Sequence, residues 1–155
     1  LNSPKYRKDL STIGLNAIPA LVERATSSTD AAARASAVKA LAAIALSFPE
    51  QVLPPNAFNA LESALEDPDR TVQLATVSAL STLGQPAFDI LISALETEDI
   101  ALRVSVISAL GSLGDRRGIE ILTAIAADDT ADPYLCESAT NALSRLEQIL
   151  EFKGI

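Results

Sequence analysis

The sequence predicts an all-α array of stacked helical hairpins, and three observations carry that prediction. An Ala-Leu pair recurs in small-residue segments at Ala40-Leu41, Ala79-Leu80, Ala109-Leu110 and Ala142-Leu143, with a degenerate Asp9-Leu10 before them, so that successive leucines stand 31, 39, 30 and 33 residues apart. Such a period marks a stacked array whose units bury their apolar faces only against one another. Apolar and small residues also return at three- and four-residue spacing, and no segment alternates at period two for long enough to make a strand. Finally, the 155 residues are 48% hydrophobic but only 4% aromatic, with no Met or Trp; Ala, Leu, Ile and Val suit thin helices packed closely.

Aligning on the leucines gives two helix types within a single domain, 1–155. Type A is expected near residues 3–13, 31–47, 70–83, 100–113 and 133–152, and type B near 15–27, 55–66, 86–96 and 117–127. The B helices are anchored by Leu21, Leu61, Leu91 and Leu122. Three of the four A-to-B turns offer a glycine that can end a helix in the left-handed conformation: Ile13-Gly14, Leu83-Gly84-Gln85-Pro86 and Leu113-Gly114-Asp115. Each B-to-A turn offers side-chain oxygens for N-caps: Ser28-Thr29-Asp30, Asp67-Pro68-Asp69, Thr97-Glu98-Asp99 and Asp132-Pro133. The second unit alone is stretched, by the segment from Ser47 to Pro55, which reads as a longer turn or a functional rim insertion. The fifth A helix has no B helix after it, and its Ile149, Leu150, Phe152 and Ile155 make that end a candidate contact or self-association surface.

Charge and composition narrow the function. Acidic residues outnumber basic ones 20 to 12, for a net charge of −8, which repels nucleic acid. Arg34 and Lys39 interrupt the longest apolar tract, so no membrane span is expected. Cys136 is the single cysteine; it excludes an internal disulfide, as a reducing compartment permits, and the chain reads as cytoplasmic. Histidine is absent, which removes Ser-His-Asp, Cys-His and histidine-ligated metal schemes. There is no glycine-rich phosphate loop. Asp67 with Asp69, and Asp128 and Asp129 with Asp132, could meet a hard cation, but their place in the turns makes N-capping the better explanation. No catalytic residue, metal ligand or cofactor is assigned.

The segments Asp69-Arg70-Thr71-Val72-Gln73 through Ala79-Leu80-Ser81-Thr82-Leu83-Gly84, and Leu102-Arg103 through Leu113-Gly114-Asp115-Arg116-Arg117-Gly118-Ile119, resemble HEAT repeats of the phycobilisome-lyase type. The likeness extends over nearly the whole chain and implies a right-handed α-α superhelix, a HEAT/armadillo-type solenoid of about four and a half repeats. This architecture is shared by chromophore lyase subunits, phycobilisome-degradation factors and assembly chaperones, so it points to a fold rather than to one activity. The resemblance further implies that Arg34 and Arg103 occupy the family's A-helix arginine, which ties loops together; Gln73 and Cys136 replace it elsewhere. Cys136 is expected to sit half-buried as a small hydrophobe.

Drawn at about 100° per residue, each B helix has an apolar arc around its leucine and an opposite arc that holds six acidic residues and no basic one. In HEAT-like solenoids the B helices line the concave side. The resemblance therefore implies an acidic inner stripe of Glu23, Glu62, Glu66, Asp89, Glu96 and Glu120, interrupted by Val22 and Ile92. A solvated face and a binding face are both consistent with it. The outward arc of the A helices is read as small and uncharged, with Ser78, Ser81, Thr82, Ser108, Gly111 and Ser112. The expected function is a non-catalytic protein-binding or assembly scaffold whose partner presents a basic or mixed patch with apolar anchors. The alternative is a bilin lyase-type subunit or phycobiliprotein-handling factor, against which stands the lack of basic residues for propionates and of aromatics for stacking.

Overall fold

The computed structural model describes residues 4–49 and 52–154, with side chains from residue 14 onward. Among them are eight α-helices, one 3-10 turn and no strand: α1 (Pro4–Ser27), α2 (Ala31–Ser47), α3 (Pro55–Ala64), α4 (Arg70–Ser81), α5 (Phe88–Ala94), α6 (Ile100–Leu113), α7 (Gly118–Ala126) and α8 (Pro133–Phe152). They form two compact units, residues 1–76 and 77–155, whose boundary falls within α4. The side chain of Leu10, and Glu50 and Gln51 of the insertion and Ile155 altogether, lie outside the described residues.

In the first unit α1 packs on α2 and α3. Leu41 and Leu61 are fully buried, with Val38, Ala57 and Ala60 around the same core. One expectation fails here. The break at Ile13-Gly14 is absent, and α1 runs without interruption through Gly14 and Pro19. The reason lies in what surrounds the glycine: a Cβ there would stand 3.0 Å from Phe48 Cε2 and 3.7 Å from Ile44 Cγ2, so Gly14 makes room for a ring rather than for a turn. No capping Asp or helix-starting Pro follows it directly, unlike Gly84 and Gly114.

In the second unit α6 packs on α8, and α8 also on α7. Gly84 and Gly114 both have a positive φ, 71° and 75°, which favours glycine. Gly114, with ψ of 20°, is the left-handed cap expected of it, whereas Gly84, with ψ of −151°, is extended rather than left-handed helical. After Gly84 the chain takes a 3-10 turn, Gln85–Ala87, before α5 begins. Leu80, Leu91, Leu110 and Leu122 are all buried. Gly111 corrects another expectation. It is buried, not part of an outward surface, because α6 crosses α8 there: an added Cβ would lie 2.6 Å from the Ala142 carbonyl oxygen and 2.8 Å from its Cα. Only a residue without a side chain permits backbones to approach so closely.

The turns are held by side chains. Asp30 accepts the Ala32 N–H, Asp69 that of Thr71, Asp99 that of Leu102 and Asp132 that of Tyr134, as expected of N-caps. Asp67 accepts the Asp69 N–H at 2.9 Å in the same way, and does more. Its carboxylate receives Arg34 Nε and Nη2 at 2.8 and 2.9 Å, while Arg34 Nη1 donates to the Ser28 carbonyl at 2.8 Å. One guanidinium thus ties both loops that flank the α2–α3 hairpin.

Candidate functional site

The expected binding residues fall on the C-terminal part of α1 and on or just beyond α3, α5 and α7. In the first unit Glu23 on α1, Glu62 on α3 and Glu66 just beyond α3 are exposed, and Val22 is half-buried. In the second unit Asp89 and Glu96, at the start and just past the end of α5, and Glu120 on α7 are exposed, with Ile92 half-buried. Asp89 and Glu120 occupy the first turns of their helices, where the positive end of the backbone dipole favours a carboxylate. Each unit therefore presents acidic oxygens to solvent, with a half-buried aliphatic residue on the same helix as an acidic one.

The face of the second unit is less one-signed than the sequence implies. Arg117, from the turn before α7, brings Nη1 to 3.6 Å from Asp89 Oδ1 and donates from Nη2 to Asp115 Oδ2 at 2.7 Å. Its guanidinium carbon lies 4.0 Å from the centre of the Phe88 ring, a cation–π contact. The Arg117 side chain holds the buried Asp115 carboxyl below its ordinary range, against the opposing effect of burial. The sequence carries a signal for this cluster in Asp115-Arg116-Arg117-Gly118, but nothing in the spacing says that Arg117 turns back over a ring nearly thirty residues earlier.

The remaining candidates take structural places. Arg34 ties loops, and its side-chain hydrogen bonds hold the Asp67 carboxyl below its ordinary range, again against burial. Arg103 donates from Nη2 to the Thr97 carbonyl, six residues earlier, just as Arg34 reaches Ser28; its buried Nε has no partner among the described residues. Asp128 accepts the Thr130 hydroxyl and N–H, which lower its pKa, and Cys136 is half-buried with Sγ donating to the Asp128 carbonyl at 3.3 Å. Among the described residues no group of three or more His, Cys, Asp or Glu is arranged to hold a metal ion, and no helix is long and apolar enough to cross a membrane.

With these hairpins in place, the comparison with known families decides what kind of repeat they are. HEAT repeats match residues 18–97 and 58–144. The chain belongs to the HEAT-repeat family. A relative, "Uncharacterized phycocyanin operon protein Z" of Pseudanabaena tenuis, is 42% identical over 147 residues, which cover 94% of this chain and 73% of the relative. Among solved structures, human deoxyhypusine hydroxylase in complex with glycerol superposes with a TM-score of 0.75 at 21% identity over 93% of this chain. The chain spans 48% of that protein's length, and at this identity the likeness concerns the HEAT fold alone.

Proposed function

We propose that this HEAT-repeat chain is a non-catalytic binding module that handles phycobiliprotein subunits in the cytoplasm through protein–protein contact. The observation that carries the reading is the 42% identity, over nearly the whole chain, to a phycocyanin operon protein. The exposed carboxylates of each unit support it as contact groups, with Val22 as the apolar anchor in the first unit and Ile92 in the second, and the partner would present a basic or mixed patch to each.

Calorimetric titration with purified phycocyanin α and β subunits tests this. Binding is expected, and Glu62→Lys combined with Glu96→Lys should weaken it at least about tenfold while thermal unfolding stays within about 0.5 kcal/mol of the parent, as for other exposed charge changes. These two are chosen because Asp89 already shares Arg117. Unchanged affinity in the variant would remove the acidic surface from the interface, and failure of both subunits to bind would remove phycobiliproteins as partners. The bilin lyase-type alternative predicts a shift in bilin absorbance when the chain is mixed with free bilin, which the binding-module reading does not.

A further inference from the structure

The second unit has a groove unrelated to the acidic carboxylates. It lies between α6 and α8, lined from Ile100 to Ser108 on one and from Tyr134 to Arg145 on the other, and has a volume of about 650 Å³. Three large apolar side chains are exposed among the described residues of this unit, and two of them, Ile100 at 44% and Tyr134 at 73%, line this groove. Exposed apolar groups gathered in one concavity mark an interaction site more often than scattered ones. The floor is small: Ala101, Ser108 and Ser138 line it, and the Ser138 hydroxyl is turned down onto the Val104 carbonyl.

One end of the groove is cationic. Arg145 donates from Nη1 to the Ser108 carbonyl and hydroxyl and to the Ser112 hydroxyl, at 3.1 to 3.2 Å. These bonds set the guanidinium across α6 and leave Nε and Nη2 without a partner among the described residues. Glu137, two helical turns before Arg145, gives the wall one negative charge. Along α6 the lining residues Ile100, Val104 and Ser108 are spaced four apart, or about 6 Å per step. The pattern is thus apolar, apolar, cationic at the repeat of one helix lying along two others.

We propose that this groove docks an amphipathic helix of a partner protein that carries two apolar residues at i and i+4 and a carboxylate at i+8. The apolar pair sits against Ile100, Tyr134 and Val104, and the carboxylate takes the two open donors of Arg145. A basic residue on the flank of that helix meets Glu137. The small floor allows the close axial approach that helix packing needs. A second copy of this chain is a poorer fit, since it would bring another eight excess negative charges. The proposal is separate from the phycobiliprotein reading, and its test uses no phycobiliprotein.

The probes are two fluorescently labelled Ala-rich peptides of about 18 residues, long enough to hold helix, with Leu at i and i+4 and either Glu or Lys at i+8. Fluorescence anisotropy should show the Glu peptide binding about fivefold or more tightly than the Lys peptide. Ile100→Glu with Tyr134→Glu should abolish binding of both without lowering the melting temperature, and Arg145→Glu should reverse the preference. Should Arg145→Glu not fold, Arg145→Met should erase the preference without reversing it. Equal affinity of the parent for both peptides, or undiminished binding by the Ile100 and Tyr134 variant, overturns the proposal. So does a dimer in light scattering that Tyr134→Glu dissolves, which would assign the groove to a second copy.

Discussion

Arg34 and Arg103 hold equivalent places in α2 and α6, yet they do unequal work. Both reach back six residues to a loop carbonyl, but only Arg34 finds a carboxylate, that of buried Asp67. Removing Arg34 strands a buried charge, whereas removing Arg103 relieves an Nε that is already without a partner among the described residues. Arg34→Met should therefore lower the melting temperature more than Arg103→Met, and equal losses would mean that Asp67 draws its stability from elsewhere. The pH dependence follows from the same pair. Because the folded state lowers the pKa of Asp67, and that of Asp115 beside Arg117, their contribution is complete above the unfolded carboxylate range near 3.9. It is lost as pH falls through the lower folded values. Denaturant titrations between pH 7 and pH 2 should show this acid loss, reduced in Asp67→Asn. Gly111 is the other residue on which much turns. Ala is the better helix former by about 1 kcal/mol, but its Cβ would meet Ala142 backbone, which cannot swing aside as a side chain can. Gly111→Ala should destabilise by about 1–3 kcal/mol or more in urea titration, while Gly118→Ala, opposed by the Leu146 methyl at 3.1 Å, should cost less.

At the scale of the element, Leu41, Leu80 and Leu110 of the Ala-Leu repeat do what their period implies. Leu80 and Leu110 are 0% and 1% exposed, so truncation of either to Ala should cost about 2–5 kcal/mol, depending on how far the cavity collapses. Losses below about 1 kcal/mol at both would contradict their place in the core. Leu143, at the same register in the last A helix, is only half-buried, and the core position there passes to Leu146. The continuous α1 makes its own prediction. Pro19 inside a helix cannot donate a hydrogen bond to the residue 15 carbonyl and crowds it. Pro19→Ala should therefore raise stability, by up to about 3 kcal/mol; a neutral or destabilising result in thermal unfolding would mean that Pro19 instead starts a helix.

For the whole molecule, the apolar residues of the C-terminal helix imply an uncovered end. The structure covers more of it than that pattern suggests: Leu150 is buried, and Ile149 Cγ2 lies 3.2 Å from where a Cβ on Gly114 would stand, against the left-handed cap of α6. Only Phe152, 94% exposed, remains of the described apolar residues at that end. Its substitution separates surface from fold. Phe152→Glu should leave thermal unfolding unchanged within about 0.5 kcal/mol and lower any concentration-dependent association in light scattering, while Ile149→Glu should destabilise. A parent that is monomeric at all concentrations and indifferent to Phe152→Glu would show that this end takes no second copy.

The period, the helices after α1, the buried Leu41, Leu80 and Leu110, the positive φ of Gly84 and Gly114 and the capping Asp30, Asp69, Asp99 and Asp132 are all legible in the amino-acid sequence alone. Each depends on residues within one turn, one hairpin or one repeat, where backbone geometry and spacing dictate the outcome. The acidic residues of the B helices are legible as exposed for the same reason. What lies beyond the sequence depends on which side chains meet across elements. Gly14 and Gly111 look like Gly84, but a ring at Phe48 and a backbone at Ala142 make them points of close approach. Asp67 looks like another cap until Arg34, 33 residues away, takes its carboxylate. Arg117 becomes the neighbour of Asp89 only because it folds over Phe88, and the groove beside Tyr134 exists only because α6 and α8 touch at one crossing. Local chemistry determined the repeat; tertiary contact decided where a glycine turns or packs, which carboxylates stand free, and which surface is left open.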